Sequence, residues 1–354
     1  MVRRSIVAFL ALMVAPGGIA GAQDVDLAPS LDLRGVAGRF DLLAGSVIVA
    51  EGKTRIAISQ VSERGAIALY DISGAFIALL GRRGKGPGEF LQHDGLAFGD
   101  GDSLFVLDGL NLRATVFAPD GRLARTFPLE AHALNPARVG HQFFVSVPNA
   151  STKGRQGLVF PLLVKGGFGP SVQPGDNDGE EDFDRIRLLA GAGDSGVVIS
   201  KVYAYHVTLA SSSGHQLAEV RPRVDWFPAG RVAMREPPWL VRPMPMILGA
   251  RVLGSDLFVL IQRAKARWKP LTMGGSLVSP KGPNLARENF FEIVLERRSI
   301  PEGKLKAQQI LSPFVVAMAG ADKLVSVVDA PDGTNIVRLS RIRLATRNNP
   351  PRRD

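Results

Sequence analysis

A unit of four short apolar runs separated by turn residues recurs along the chain, and this repeat constrains the fold more than any other feature. It is clearest from Asp94 to Phe127, which reads DGLAFGDGDSLFVLDGLNLRATVFAPDGRLARTF. The connections GDGD and PDG are typical of tight turns between antiparallel strands. Four short strands in about 35 residues make one up-and-down sheet, which is the blade of a β-propeller.

Looser copies of the unit cover most of the remaining sequence. With the clear copy they make six, and the others span residues 45–81, 137–175 (degraded), 185–220, 246–311 (with an insertion) and 314–344. The last copy stops one strand short, whereas SLDLRG, Ser30–Gly35, belongs to no copy. We therefore expect the N-terminal strand to complete the last blade, because this removes an exposed sheet edge. The prediction is an all-β fold with little helix, a six-bladed β-propeller of four-stranded antiparallel blades forming one domain over residues 24–345.

The two ends of the chain predict export and a flexible tail. Residues 1–23 have a cationic start, a short apolar core and an A-x-A site, which is the pattern of a secretory signal peptide cleaved near Ala22 or Gln23. The apolar core is shorter than the roughly 18 residues that a membrane span needs. We expect a secreted or periplasmic protein that does not span a membrane, with a basic flexible tail over residues 346–354.

The formal net charge of +10 permits contact with an anionic envelope surface. Nucleic acid is an improbable partner, because the protein is predicted to be exported and its cations form no basic stripe. The chain has no cysteine, so its stability must come from the core and hydrogen bonds rather than from disulfides.

The segment GRRGKGPGEF, residues 81–90, is glycine-rich but does not fit a phosphate loop. Lys85 is followed by Gly86 and Pro87, whereas a phosphate loop needs a hydroxyl residue there, at the start of a helix. We interpret Gly86, Pro87 and Gly88 as a sharp turn between blades, with Phe90 packed between two sheets.

The same region carries a family resemblance. Residues 45–127 resemble the NHL-repeat type of six-bladed propeller. The matching positions are Gly84, Gly86, Pro87, Gly88, Phe90, Gly95, Asp108, Asn111, Arg113, Asp120 and Gly121. Later segments are similar to a secreted bacterial branch of such propellers that has no assigned activity. The motif formed by Asp108, Asn111 and Arg113 is interpreted as structural, with the Asp and Asn side chains bonding nearby backbone and the arginine clamping an acid of the neighbouring blade.

No residue pattern predicts catalysis, a cofactor or a metal site. The five histidines are scattered without the spacing of metal ligands. The acidic run GDNDGEEDFD, residues 175–184, has carboxylates suited to calcium but lacks the spacing of a calcium-binding loop, so a solvated loop is preferred. The sequence has no thiol and no G-x-S-x-G nucleophile motif.

Tryptophan and arginine concentrate in the long connections after residue 224. The candidate ligand-binding residues are Trp226, Trp239, Arg242, Arg263, Arg267 and Trp268. Long loops on a rigid scaffold commonly carry function, and Trp with Arg is typical of binding hot spots. The alternative is that these loops form a hydrophobic lid over one mouth of the channel.

The sequence therefore predicts a non-catalytic binding or interaction module, with an unknown small molecule, glycan or protein as its partner. The alternative is a channel-sited, metal-dependent hydrolase or lyase of the lactonase or amidating-lyase type. That alternative requires side chains at the start of the inner strands, such as His93 or Asp94, to converge on the central axis.

Overall fold

The described part of the chain consists almost entirely of β-strands. The computed structural model describes residues 25–43, 47–59, 61–148, 157–163, 165–173, 185–194, 196–227, 242–269, 272–273, 276–277, 290–312 and 315–344. Within these ranges the single helical element is a 3₁₀ turn at Asp100–Asp102, and no helix is long and apolar enough to cross a membrane. The predicted signal peptide, residues 1–23, and the predicted tail, residues 346–354, lie outside the described residues.

Six antiparallel sheets follow one another in chain order, and we number them as blades 1 to 6. Blades 1 and 2 contain β2 (Val49–Glu51), β3 (Arg55–Ile58), β4 (Ile67–Asp71) and β5 (Phe76–Leu80), then β8 (Gly95–Phe98), β9 (Leu104–Asp108), β10 (Arg113–Phe117) and β11 (Leu123–Pro128). Blades 3 and 4 contain β12 (Leu134–Val139), β13 (Gln142–Ser146) and β14 (Val159–Pro161), then β15 (Arg187–Ala192), β16 (Gly196–Lys201), β17 (Val207–Ser211) and β18 (Gln216–Val220). Blades 5 and 6 contain β19 (Met246–Leu253), β20 (Asp256–Ala264), β23 (Phe291–Ser299) and β24 (Leu305–Leu311), then β25 (Val315–Ala319), β26 (Lys323–Asp329), β27 (Asn335–Leu344) and β1 (Val25–Arg34).

Two short strand pairs lie outside the blades. They are β6 (Arg82–Arg83) with β7 (Glu89–Phe90), and β21 (Thr272–Met273) with β22 (Ser276–Leu277). The second pair belongs to the insertion that interrupts blade 5 between β20 and β23.

The first strands of the blades surround a common axis. Each inner strand contacts those of the blades on either side, in the order β2, β8, β12, β15, β19, β25 and back to β2. Second strands such as β9 are buried along their whole length, because both faces of each sheet pack against a neighbouring sheet. Outer strands such as β24 alternate between buried and exposed residues. The predicted all-β, six-bladed β-propeller is confirmed.

The N-terminal strand closes the ring, as predicted. β1 pairs antiparallel with β27, so that Leu31 lies opposite Leu339 and Leu33 opposite Val337. The Arg338 guanidinium binds the Asp32 carboxylate through two hydrogen bonds of 2.7 and 2.8 Å. Leu33 is fully buried, in a hydrophobic cluster that joins blade 6 to blade 1.

Blade 3 is the irregular one, in agreement with its degraded repeat. Its described part has three named strands, and isolated bridges from Val159 to Gln173 and from Leu162 to Phe168 stand in place of a regular fourth strand. Gly166 packs against Pro128 of blade 2, where an added Cβ would lie 1.9 Å from the Pro128 carbonyl oxygen. This hairpin therefore approaches its neighbour too closely for any residue but glycine.

The closing strand makes the first prediction. Replacing Leu33 by Ala leaves a cavity between blades 6 and 1 and should lower the free energy of unfolding by about 2–5 kcal/mol. Urea denaturation followed by far-UV circular dichroism measures the change. Arg34→Ala, an exposed neighbour on the same strand, is the control and should change stability by less than about 0.5 kcal/mol. Equal stabilities of the Leu33 variant and the parent would show that β1 is dispensable for closure.

Candidate ligand-binding site

The central channel opens into a cavity of about 660 Å³, which we call the channel-mouth cavity. It lies at the end of the channel where the inner strands turn into the second strands, and all six blades contribute to its wall. Its charged lining residues are Glu51, Lys53, Asp100, Asp102, Arg138, Asp194 and Arg251. A polar wall of this kind, on rigid strands, is suited to holding a small hydrophilic molecule.

Asp102 ties blade 2 to blade 1 at the rim of this cavity. Its carboxylate accepts hydrogen bonds from the Lys53 and Thr54 backbone N–H groups, at 2.6 and 2.7 Å, and from the Thr54 hydroxyl at 2.6 Å. Burial raises the pKa of Asp102, but the hydrogen bonds from Thr54 and Lys53 together outweigh it, so the pKa lies below its ordinary value. The carboxylate is therefore charged at neutral pH and serves the structure.

Two ion pairs link other neighbouring blades at the rim. The Lys323 ammonium group on blade 6 binds the Glu51 carboxylate on blade 1, and the side chains are only 7% and 11% exposed. On blade 2 the exposed Asp100 carboxylate binds the Arg138 guanidinium group of blade 3 and lies 2.8 Å from Nδ1 of His141. These pairs fix the positions of the hairpins around the mouth.

Arg251, on the inner strand of blade 5, differs from these residues because its partners are neutral. Its Nε donates to the Gly320 carbonyl at 3.0 Å, and its Nη groups donate to the Ala250 and Met318 carbonyls at 2.9 and 3.2 Å. No carboxylate oxygen of a described residue lies within 4.0 Å of this guanidinium group. Arg251 is thus an unneutralised cation in the cavity wall.

The structure brings together two of the predicted tryptophan and arginine residues. The Arg263 guanidinium group lies 4.8 Å from the ring centre of Trp226. Trp226 packs in turn against Tyr205 and Phe227, at 6.4 and 5.9 Å between ring centres. Arg263 also forms a 2.6 Å ion pair with Glu292, so its charge is neutralised within blade 5.

The other predicted ligand-binding residues are less closely associated. Arg242 and Arg267 are exposed, and Trp268 is half-buried with its backbone N–H bound to the Lys265 carbonyl at 2.9 Å. Trp239 lies outside the described residues. Arg242, Arg267 and Trp268 do not line the channel-mouth cavity.

The glycine-rich segment 81–90 forms a hydrogen-bonded loop between blades 1 and 2. The Gly86 N–H donates to the Glu89 carboxylate at 2.7 Å, and Gly88 has a φ of +72°, next to an exposed Pro87. Phe90 is fully buried and its ring centre lies 6.1 Å from that of Phe117.

Asp108, Asn111 and Arg113 hold this loop against blade 2. The fully buried Asp108 carboxylate accepts hydrogen bonds from the Leu91 backbone N–H at 3.1 Å and from the Asn111 side chain at 2.6 Å. The Asn111 amide also donates to the Gly84 carbonyl at 3.1 Å. Arg113 donates to the Lys85 carbonyl at 2.7 Å and to that of Glu89, so its closest partners are backbone oxygens of the loop rather than an acid of the neighbouring blade.

His93 and Asp94, at the start of the inner strand of blade 2, are engaged locally. Asp94 accepts hydrogen bonds from the Gly109 backbone N–H and the Gln92 amide, both at 2.6 Å, and lies 3.3 Å from His132, whose pKa it raises. His93 packs against Phe90, and burial lowers its pKa. Within the described ranges no three His, Asp or Glu side chains converge as metal ligands, and residues 175–184 lie outside those ranges.

Comparison with known proteins supports the fold and gives no family. No family model matches the chain, and no curated protein matches it. Among solved structures, a candidate exported protein from Bacteroides fragilis matches with a TM-score of 0.61 and 10% identity, covering 92% of this chain and 97% of the other. A member of the DUF4221 family from Bacteroides vulgatus matches with a TM-score of 0.57 and 10% identity, covering 92% and 100%. At these identities the likeness is one of architecture.

Sequence reasoning missed the channel-mouth cavity. Its charged residues lie in the first hairpins of blades 1 to 5 and come from segments far apart in the chain, such as Glu51 and Arg251. A signal was present, since a charged residue on an inner strand otherwise made of small and apolar residues, as in ILGARVL, has to face the channel or a neighbouring blade.

Asp102 gives a prediction about stability and pH. Asp102→Asn places an amide N–H₂ group against the donors of Lys53 and Thr54 and should lower the free energy of unfolding at pH 7 by about 1–3 kcal/mol. The folded-state pKa of Asp102 is depressed, so its stabilisation is complete above the ordinary pKa of about 4 and is lost as the pH falls through the folded value. The difference between variant and parent should therefore shrink towards pH 3.

Urea titrations at pH 7 and pH 3 measure this effect. Asp100→Asn, in the same turn but exposed, is the matched control and should have a smaller effect at pH 7. An Asp102→Asn protein as stable as the parent at pH 7 would contradict the structural role given to this carboxylate.

Proposed function

We propose that this protein is an exported, non-catalytic binding protein whose ligand is a small polar molecule held in the channel-mouth cavity. Export is proposed from the signal-peptide pattern of residues 1–23. The observation that carries the binding proposal is the cavity itself, which is about 660 Å³ in volume and is lined by all six blades, with charged groups from five of them. This volume falls in the range of roughly 300–1,000 Å³ that is usual for ligand pockets.

The cavity is pre-formed, which favours binding. The Lys323–Glu51 pair, the Asp100–Arg138 pair and the hydrogen bonds to Asp102 join adjacent blades at the rim. A ligand that enters such a site does not have to order its walls, so little conformational entropy is lost on binding.

The chemistry of the described wall supports binding rather than catalysis. The wall presents carboxylates, an ammonium group and guanidinium groups among small residues, and most of these charges are engaged with one another or with backbone. A channel-sited, metal-dependent hydrolase or lyase is the alternative, and it would need three or more converging ligands. The binding surface around Trp226, Trp239, Arg242, Arg263, Arg267 and Trp268 stays a prediction, with an unknown small molecule, glycan or protein as its expected partner.

The binding proposal is tested by plugging the cavity. Ala321 is an exposed residue of the cavity wall, so Ala321→Trp should obstruct the mouth without disturbing the core. Thermal unfolding is measured with a panel of sugars, sugar acids, amino acids and phosphate esters, each at 5 mM. We expect at least one class to raise the Tm of the parent protein by several degrees and to leave that of Ala321→Trp unchanged.

Ala37→Trp is the matched control, because Ala37 is exposed and lies outside the cavity. It should respond to the same compounds as the parent. A panel that leaves the parent protein's Tm unchanged, or that shifts the plugged variant equally, would overturn the proposed site.

A further inference from the structure

We infer that Arg251 binds an anionic group of the ligand, and that the ligand is a small organic anion carrying a carboxylate or phosphate together with hydroxyl groups. This inference rests on the proposed function, since it assigns the ligand class of the channel-mouth cavity.

Arg251 lacks a counter-charge among the described residues. Around the same mouth, Lys323 has the Glu51 carboxylate and Arg138 has the Asp100 carboxylate. Arg251 has three carbonyl oxygens and, among the described residues, no carboxylate within 4.0 Å. A cation withdrawn from water without a counter-charge is costly, and an anionic ligand would offset that cost.

The guanidinium group of Arg251 is held in one orientation by backbone carbonyls of two blades. The carbonyls of Gly320 and Met318 belong to blade 6, whereas that of Ala250 belongs to the strand of Arg251 itself. These bonds use three of the five N–H donors of the guanidinium group and hold its plane in place. Arg251 lines the cavity, and two of its N–H donors are not used by these bonds. A guanidinium group held in a fixed plane matches the geometry of carboxylate and phosphate oxygens.

The guanidinium group of Arg251 is charged at neutral pH. Burial lowers the pKa of Arg251 to about 10, so the group remains a cation at neutral pH. Its partly desolvated position also strengthens its attraction for an anion relative to that of a solvated surface arginine.

The remaining wall suggests the rest of the ligand. Asp194 on blade 4 is exposed at the mouth, and the described residues place no cation within 4.0 Å of its carboxylate. A free carboxylate is a good acceptor for hydroxyl groups. Lys53, on the opposite side of the ring, provides a further cation without an acidic partner among the described residues. Sugar acids and sugar phosphates combine the required anion and hydroxyls.

The carbonyl bonds of Arg251 also join blades 5 and 6, so a purely structural role has to be separated from binding. A structural role predicts that loss of the guanidinium group lowers Tm equally with and without anions. A binding role predicts in addition that the response to anions disappears while the response to a neutral sugar of the same size is retained.

Isothermal titration calorimetry with glucuronate, glucose 6-phosphate and glucose tests the inference on the full chain. At least one of the two anions should bind the parent protein ten-fold or more tightly than glucose, and Arg251→Gln should remove this preference. The anion that binds more tightly shows whether the site prefers a carboxylate or a phosphate.

Arg82→Gln is the control, because it removes the same charge from an exposed surface pair with Glu89 and should leave all three affinities unchanged. Arg251→Lys keeps the positive charge but lacks the planar guanidinium group, so its preference for the anions should be intermediate. This variant tests the inference if Arg251→Gln does not fold.

The outcomes separate the inference from the proposed function. Equal binding of glucose and its anionic derivatives, unchanged in Arg251→Gln but lost in Ala321→Trp, would overturn the role of Arg251 and leave the cavity as the site. If Arg82→Gln weakened anion binding as much as Arg251→Gln does, the binding would depend on the overall surface charge rather than on Arg251. That result would overturn the inference. Absence of binding by all three probes, with no compound of the wider panel shifting Tm, would overturn both.

Discussion

The closed ring is the constraint on which the rest of this structure depends. A four-stranded sheet with two apolar faces has to be covered on both sides, and six such sheets achieve this only when the last one meets the first. The meeting point is the pairing of β1 with β27, where Asp32 and Arg338, 306 positions apart, form an ion pair. Blade 6 is therefore built from both ends of the described chain, and its core with blade 1 depends on contacts between residues far apart in sequence.

Ring closure also determines what the centre of the molecule can be. Inner strands converge on the axis, so their channel-facing positions and first turns are crowded, and many are small residues such as Ala97, Gly191 and Gly320. At the mouth, where the strands diverge, there is room for charged side chains. There they bond to the neighbouring blade, as Asp102 does to blade 1, and the same bonds that stabilise the ring also hold the walls of the channel-mouth cavity in place.

The fold could be predicted because its signals are local and repeated. Each PDG or GDGD turn and each apolar run constrains one hairpin, and six imperfect copies reinforce one another even where blade 3 departs from the pattern. The channel-mouth cavity could not be predicted, because its contacts join residues that are distant in sequence, such as Lys323 and Glu51, 272 positions apart. Similarly, the concentration of tryptophan and arginine after residue 224 pointed to Trp226 and Arg263 but did not indicate Glu292. Glu292 lies on a strand beyond the insertion and neutralises Arg263.

The distribution of buried charge separates structural from functional groups in this molecule. Asp256 is bound by Arg297 and Lys306, and Glu296 by Arg298, Tyr205 and Gln308, so these interior charges are compensated many times over. Sequences that specify a stable fold compensate such groups, and departures from that rule are expected where a ligand supplies the missing partner. Arg251 departs from it in the wall of the channel-mouth cavity, with a guanidinium group held by neutral oxygens. Hydrogen bonds from neutral carbonyl groups offset only part of the free-energy cost of removing a guanidinium group from water. An anionic ligand that supplies the missing counter-charge therefore explains Arg251 better than a purely structural role does.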